Sequence, residues 1–330
     1  MKENILFLAI SSFLLGAVYP AGAQHMAKTL PRVGVISSTG TAESPWPLFD
    51  AFRLGLSDLG YVAGKNILIE SRYAEGRLDR MPGLVKELVD QKVDVIVAVN
   101  NVIIRAAKGA TNTIPIVMIS SVDPVAAGYV ESFAHPGRNI TGLAHLGRDL
   151  SAKRVELLKE LLPKMSRVAV LWDADGPGPA VAFKEYEAAT RAFKIELRSL
   201  AVRGPKPDFA GAFQTAKTAR LDALIVVANP LMAQHAKEVF ELTAKHRIPS
   251  MTEVGRFVSD GGLISYGPSL PDLYRRAAEY VVEILKGAKP GDLPVKLPSK
   301  FEIFINLKTA QQIGVTIPQH FLVQADKVIQ

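Results

Sequence analysis

The chain of 330 residues contains no cysteine. Disulfide bonds are therefore excluded, and so is catalysis by a thiol. Attachment of a lipid to a cysteine behind a leader segment is excluded for the same reason. An exported form of this chain is accordingly expected to be free and soluble.

Several motifs that would indicate catalysis are also missing. The loop after the first predicted strand reads SSTGTAESP, without the G-x-G-x-x-G of dinucleotide sites, and Gly176-Pro177-Gly178-Pro179 lacks the third glycine. No P-loop lysine, H-E-x-x-H or G-x-S-x-G motif occurs, and the six histidines are scattered. We therefore predict no catalytic residue, no metal ligand and no cofactor. An enzyme with an unrecognised acid or serine centre on a two-lobed α/β scaffold remains the alternative.

One apolar run stands out, residues 5–18 (ILFLAISSFLLGAV). Lys2 precedes it and Ala21-Gly22-Ala23 follows it, the pattern of a secretory signal peptide. A run of about 14 residues is short for a membrane span, which needs about 20. We predict a signal peptide over residues 1–23, cleaved near Ala23, and a periplasmic mature protein. A membrane anchor or a buried first helix is the alternative.

The formal net charge is +7, but acidic residues alternate with the basic ones. The segment 152–164 (AKRVELLKELLPK) is typical of a solvated helix face. Because no arginine-rich tail accompanies the charge, nucleic-acid binding is not expected. The length allows two hydrophobic cores, since single cores rarely exceed roughly 250–300 residues.

Short β-rich runs alternate with helical periodicity along the whole chain. The stretch 114–146 is predicted to hold a buried strand, a polar loop, a short helix, a Pro-Gly turn and another strand, after which the pattern begins again. This pattern predicts an α/β fold of two doubly wound parallel-sheet lobes. The other predicted strands are residues 32–38, 67–73, 93–99, 167–172, 195–202, 222–228, 248–251 and 301–305.

Two later segments are interpreted as further crossings between the lobes. Gly261-Gly262 precedes the apolar run 263–268, and residues 288–298 contain three prolines and a glycine. The predicted first lobe therefore comprises residues 27–147 and 263–299. The predicted second lobe comprises residues 148–262 and 300–330.

Ligand-binding groups in such sheets lie beyond the carboxyl ends of the strands. No nucleophile–base pair appears among the polar and aromatic residues at these positions, which favours a binding site. Four have structural alternatives: Asn229 and Asp123 as helix caps, Trp172 as strand-end packing and Tyr266 as hinge core. The predicted site residues are Ser37, Ser38, Trp46, Asn100, Asn101, Ser120, Ser121, Asp123, Trp172, Asp173, Asn229, Glu253 and Tyr266.

These residue types suit a small molecule with a carboxylate. The helix start after Asn100-Asn101 could hold a carboxylate, and Asp123 or Glu253 could hold an ammonium. The chain has only two tryptophans, and the strand-end rule places one on each wall of the cleft. An amino acid, or a related aromatic or apolar carboxylate, is the expected ligand.

Five stretches together resemble the ABC transporter substrate-binding proteins, in the family that includes tryptophan-type periplasmic binding proteins. D-P-V-x-A-G and I-N-L-K-T-A-x-x-x-G are the specific motifs within them, and the resemblance covers essentially the whole mature chain. The stretches are residues 92–99 (KVDVIVAV), 113–143, 153–173, 248–269 (IPSMTEVGRFVSDGGLISYGPS) and 300–318 (KFEIFINLKTAQQIGVTIP).

This resemblance implies a periplasmic-binding-protein type I fold with three crossings. It also implies delivery of a small-molecule ligand to an ABC permease in the inner membrane with its cytoplasmic ATPase. Relatives commonly have Gly/Ser-Thr-Pro where this chain has Asn100-Asn101-Val102, and Asn where it has Asp173. A monomer is expected. A sensory role through a membrane receptor stays open, whereas a regulator of this fold would need a DNA-binding segment where the signal peptide lies.

Overall fold

The chain folds into two β-sheets, each covered by helices. The computed structural model describes residues 30–43, 48–145 and 148–330, and Pro31–Gln330 form one compact unit. The predicted signal peptide and Trp46 lie outside the described residues. The strands are β1 (Arg32–Ser37), β2 (Leu68–Tyr73), β3 (Val95–Ala98), β4 (Ile116–Ser120), β5 (Ile140–Ala144), β6 (Arg167–Asp173), β7 (Glu196–Val202), β8 (Ala223–Val226), β9 (Ser250–Thr252), β10 (Ile264–Pro268), β11 (Phe301–Asn306) and β12 (Lys327–Ile329).

Helices connect most successive strands, as expected for a wound sheet. Short 3-10 helices occur in addition at Leu78–Arg80 and Pro290–Asp292. The α-helices are α1 (Leu48–Asp58), α2 (Met81–Asp90), α3 (Asn101–Ala110), α4 (Arg148–Leu161), α5 (Pro177–Ala192), α6 (Phe209–Thr218), α7 (Pro230–Gln234), α8 (Ala236–His246), α9 (Gly255–Ser259), α10 (Leu270–Leu285), α11 (Leu307–Ile313) and α12 (Gln319–Gln324).

The first sheet has the order β2-β1-β3-β4-β5, and all its neighbouring strands are parallel. Strands β1, β3 and β4 are almost wholly buried and rich in valine and isoleucine, as strands covered on both faces must be. Helices α1 and α10 pack together over the sheet, and α2 packs beside α3. The predicted doubly wound parallel sheet is confirmed for this lobe.

The second sheet has the order β12-β11-β10-β9-β8-β6-β7 and separates two cores. Successive side chains of a strand point to opposite faces, so β6 contributes to both. Val168 and Val170 join the core under α4, α5 and α11. Ala169 and Leu171 join the core under α6 and α8. This lobe is likewise wound on both faces.

Strand β11 is antiparallel to β10, whereas the prediction assumed parallel strands throughout. The cause is the path of the chain. It leaves the second sheet after Pro268, packs α10 against the first core, and returns at Phe301, the register partner of Pro268. A chain that re-enters a sheet at the edge where it left must run back along the neighbouring strand.

The first of the later crossings falls after Pro268 and not at residue 263, because β10 is hydrogen-bonded within the second sheet. The third crossing follows a segment held by the first sheet, where the Lys296 N–H donates to the Gly142 carbonyl at 3.1 Å. Two further differences from the predicted elements are local. Pro124–Gly128 form turns where a short helix was expected, and the unpredicted β12 pairs with β11.

Candidate functional site

The carboxyl ends of both sheets face one large cavity of about 1370 Å³. Small-molecule sites commonly measure about 300–1,000 Å³, so one small ligand would fill this cavity only if its walls approached each other. Ser38, Asn100 and Ser121 follow β1, β3 and β4 on the first wall. Asp173 ends β6 and Glu253 follows β9 on the second wall. The strand-end rule therefore located the cavity.

Eight of the predicted site residues line this cavity. Four further predicted residues, Ser37, Ser120, Trp172 and Tyr266, lie beneath or away from it in the described part of the chain. The lining residues among those predicted are Ser38, Asn100, Asn101, Ser121, Asp123, Asp173, Asn229 and Glu253.

Asn100 and Asn101 organise the first wall. Asn100 has extended backbone geometry, and its Oδ1 accepts hydrogen bonds from the N–H groups of Val102 and Ile103 at 3.0 Å each. Asn100 is therefore the N-cap of α3. The Nδ2 of Asn101 donates to the Ser121 Oγ at 2.8 Å, which ties the start of α3 to the loop after β4. Both carboxamides thus have structural hydrogen bonds.

Ser37 and Ser120 are fully buried and support the loops from below. The Ser37 Oγ donates to the Thr39 carbonyl at 2.7 Å. The Ser120 Oγ lies 3.0 Å from the Asn101 Oδ1 and 2.9 Å from the Val122 carbonyl oxygen. Neither serine lines the cavity. Each is the last residue of its strand, and the residue after it is the one that reaches the cleft.

Asp123 completes the first wall and caps the turns that follow it. Its Oδ1 accepts from the N–H groups of Val125 at 2.9 Å and Ala126 at 3.1 Å. The Tyr129 hydroxyl, also in the lining, donates to the Asn101 carbonyl at 3.3 Å. Burial raises the pKa of Tyr129, and the neighbouring Arg105 offsets part of that rise.

On the second wall, the side chains of Asp173 and Asn229 also accept hydrogen bonds from backbone N–H groups. The Asp173 Oδ1 accepts from the Asp175 N–H at 3.0 Å. The Asn229 Oδ1 accepts from the Met232 N–H at 2.9 Å and caps α7, the alternative that the sequence had left open.

Glu253 is held from beneath by a buried network. Its Oε1 lies 3.2 Å from the Arg154 Nη1 and accepts from the Tyr186 hydroxyl at 3.1 Å. Its Oε2 accepts from the Ala228 N–H at 3.2 Å. Burial raises the pKa of Tyr186 far above its usual range. Burial alone would lower the pKa of Arg154, but Tyr186 and Glu253 more than offset this effect and raise it. The charge of Glu253 is therefore already balanced by Arg154.

The sequence did contain a signal for Arg154, although the helix around it was interpreted as a solvated face. Arg154 lies three residues after Ser151 and four before Leu158, both of which are buried. At helical spacing it shares their face. An arginine on a buried face needs a partner, so this position predicts a buried ion pair.

Trp172 and Tyr266 do not line the cavity. Trp172 has the same parity along β6 as Val168 and Val170, which directs it to the α5 face. There its ring stacks on Phe183 at 5.0 Å, and its Nε1 donates to the Ser199 Oγ at 2.8 Å. Tyr266 stacks on Phe301 at 6.0 Å within the β10–β11 pair. The prediction that Trp172 lies on the second wall of the cleft is therefore wrong. The alternative interpretation, packing at the end of its strand, applies instead.

Sequence reasoning missed the basic residues of the lining, Arg105, Lys108 and Arg256. Arg105 lies four residues after Asn101, one helical turn along α3, and this spacing was the available signal. The Lys108 Nζ donates to the Gly128 carbonyl, and the Arg256 Nε lies 3.6 Å from the Asp260 Oδ2.

Within the described ranges, no cluster of three or more His, Asp or Glu side chains could hold a metal ion. A search of the same ranges for helices long and apolar enough to span a membrane found none.

Two α/β lobes with a polar cleft at the carboxyl ends of their strands define a periplasmic-binding-protein fold. The family model described as ABC transporter substrate binding protein matches residues 45–329. The chain therefore belongs to the family of ABC transporter substrate-binding proteins, as its sequence resemblance implied.

Individual relatives agree with this membership. A tyrosine-binding protein of Clostridioides difficile (strain R20291) is 27% identical over 265 residues, 80% of this chain and 75% of the relative. A conserved domain protein from Vibrio cholerae has a TM-score of 0.80 at 27% identity, over 90% of this chain and 99% of its own. An ABC domain from Streptococcus pneumoniae in complex with L-Trp has a TM-score of 0.79 at 26% identity, over 91% of this chain and 100% of its own.

Proposed function

We propose that this protein is an exported solute-binding component of an ABC importer. It captures a small molecule in the cleft between its lobes and delivers it to a permease in the inner membrane, which is driven by a cytoplasmic ATPase. The ligand is an amino acid or a related aromatic or apolar carboxylate. The mature chain begins after the signal peptide, works in the periplasm as a monomer and catalyses no reaction.

The charge pattern of the cleft carries this proposal. Among the described residues, Asp123 on the first wall and Asp173 on the second have no basic group within 4.0 Å, whereas Glu75, Asp175 and Glu253 are ion-paired. Arg105 adds a cation to the first wall. A zwitterion offers an ammonium to a free carboxylate and a carboxylate to a guanidinium. A purely anionic ligand would meet the free carboxylates without compensation.

The apolar part of the lining suits an apolar side chain. Val102, Val122, Val181, Val227 and Leu231 are part of the cavity wall. Burying a side chain of the size of leucine or phenylalanine contributes about 1.5–3 kcal/mol, and micromolar binding requires about 8 kcal/mol. Charge-assisted hydrogen bonds at the zwitterion supply much of the difference. The relatives named for tyrosine and bound to L-Trp support the same ligand class.

Delivery requires that ligand binding changes the shape of the protein. The two lobes are joined by short crossings, the usual architecture for hinge closure. A ligand that contacts both walls favours the closed arrangement, because only there can it make all its contacts. The cavity volume above the usual range agrees with walls that approach each other around a small ligand.

A thermal-shift screen of the mature protein tests the ligand class. The panel contains the proteinogenic amino acids, aromatic acids without an amino group, purines and sugars. We expect aromatic or apolar amino acids, or the aromatic acids without an amino group, to raise the melting temperature, and purines and sugars to leave it unchanged. A rise with sugars or purines alone would overturn the proposed ligand class.

Two further measurements separate binding from catalysis and test the assembly. Mass spectrometry of the hit after overnight incubation should recover it unchanged, whereas consumption would establish the alternative, an enzyme on this scaffold. Light scattering on a sizing column should give the mass of one chain. Export is tested by fractionation of expressing cells, with the cleaved form expected in the periplasmic extract.

A further inference from the structure

Carboxylates are often bound by the free N–H groups of a helix start, and α3, α5 and α7 begin in the lining of this cavity, as does the five-residue α9 through Arg256. In α3, the Asn100 Oδ1 already accepts from the N–H groups of Val102 and Ile103. In α7, Asn229 accepts from the Met232 N–H, and Pro230 has no N–H. These two starts are therefore largely occupied by the protein itself.

The third helix start is deficient in donors for a different reason. Helix α5 begins Pro177-Gly178-Pro179, so two of its first three residues have no N–H group. The residue before it, Gly176, has no side chain to add a donor. Backbone amides at the starts of α3, α5 and α7 therefore offer a carboxylate few donors, which favours a side-chain cation as its partner.

Of the three basic residues in the lining, Arg105 is the best placed for this role. The Lys108 Nζ is directed to the Gly128 carbonyl, and Arg256 lies beside Asp260. Arg105 is exposed on the cleft side of α3, and no carboxylate of the described residues lies within 4.0 Å of it. The Tyr129 hydroxyl beside Arg105 is bonded to the Asn101 carbonyl, which holds that part of the first wall in place.

We propose that Arg105 binds the carboxylate of the ligand and is the main determinant of specificity for amino acids over amines. This assignment rests on the proposed function. A guanidinium presents two parallel N–H donors that match a carboxylate, so the contact is bidentate. Asp173 on the opposite wall then receives the ammonium, and one ligand bridges both walls.

Calorimetric titration of the mature protein with L-tyrosine, L-tryptophan and L-phenylalanine tests this assignment. Their decarboxylated analogues, tyramine, tryptamine and phenethylamine, serve as probes without the carboxylate. Arg105→Gln should weaken binding of the amino acids by about 10- to 150-fold, the loss expected for a hydrogen bond to a charged group. The same variant should leave amine binding within threefold of the wild type. Arg105→Lys, which keeps the charge but loses the paired donors, should give an intermediate loss.

Arg53→Gln is the matched control. It removes the same charge from an exposed arginine of α1 that is not part of the cavity lining. It should leave amino-acid affinity within twofold of the wild type, and an equal loss in this control would overturn the assignment by showing a general charge effect.

The outcomes separate the two proposals. Wild-type binding of an aromatic amino acid with undiminished affinity in Arg105→Gln and Arg105→Lys would overturn the role of Arg105 and leave the proposed function intact. Failure of the wild type to bind any amino acid or aromatic carboxylate would overturn the proposed function and this assignment together.

Discussion

The Arg154 Nη1 lies 3.2 Å from the Glu253 Oε1, and the Arg154 side chain is only 2% exposed against 18% for Glu253. The Arg154 Nε donates to the Tyr266 carbonyl at 2.7 Å. Arg154 is in α4, the first element after the first crossing, and Tyr266 is in β10, the last before the second. One buried guanidinium therefore links both crossing segments to a carboxylate at the cleft.

Removing this guanidinium should destabilise the folded protein. We expect Arg154→Met to lower the free energy of unfolding by about 3 kcal/mol, because Glu253 loses its balancing charge in a partly buried position. The double variant Arg154→Met/Glu253→Gln should recover part of that loss. Urea unfolding at pH 7.5 measures both. Arg198→Ala, at an exposed pair with Glu196, should change stability by less than about 1 kcal/mol. A loss below 1 kcal/mol in Arg154→Met would contradict the importance of the network.

His145, next to the first crossing, should make stability depend on pH. Burial, with a smaller effect of Arg154, lowers its pKa from 6.5 to about 4. Between these values the unfolded chain takes up a proton that the folded protein does not. Stability is therefore lost as the pH falls from 6.5 to 4, by at most about 3 kcal/mol. Urea unfolding at pH 7.5 and 4.5 should show a smaller difference for His145→Gln than for the wild type. Equal differences would refute the prediction.

Trp172 should not contribute to ligand affinity, because it packs on Phe183 away from the cavity. We expect Trp172→Phe to bind an aromatic amino acid within twofold of the wild type in calorimetric titration. The lost hydrogen bond to Ser199 should lower the free energy of unfolding by about 1 kcal/mol. A tenfold loss of affinity would place Trp172 at the site after all.

Gly267 is expected to tolerate no side chain. A Cβ at this position would lie 1.9 Å from the Glu253 carbonyl oxygen. Gly267→Ala should therefore destabilise the protein by at least the 1–3 kcal/mol typical of overpacking. Gly109→Ala is the matched control in α3, where a Cβ meets nothing within 4 Å and should stabilise by up to about 1 kcal/mol. Thermal unfolding of both variants checks the contrast, and equal melting temperatures would show that β10 can shift to accept the methyl group.

Much of the fold followed from local pattern. Strands such as β3 and β8 are short, apolar and bounded by polar residues, and their order along the chain specifies parallel winding. The antiparallel β11 could not be predicted from its own sequence, because its direction depends on where the chain re-enters the sheet. The three-residue β12 is too short for any periodicity.

The lining of the candidate site was predictable to a similar degree. The strand-end rule finds residues by position, which brought Asn100, Asp123, Asp173 and Glu253 to one cavity. It does not say which way a side chain points. Because successive side chains of β6 alternate between its two faces, that of Trp172 lies on the α5 face. It also cannot find residues further along a helix, which is why Arg105 was missed.

The pairing of β10 with β11 limits how the lobes can move. Pro268 and Phe301 are register partners, and the Ser269 N–H continues the ladder to the Lys300 carbonyl at 3.0 Å. The second and third crossings therefore leave the second sheet as one two-stranded ribbon. A ribbon bends across its face, but sliding one strand past the other would break its hydrogen bonds. Closure should thus be a rotation about a single axis, with little freedom for the lobes to twist or shear.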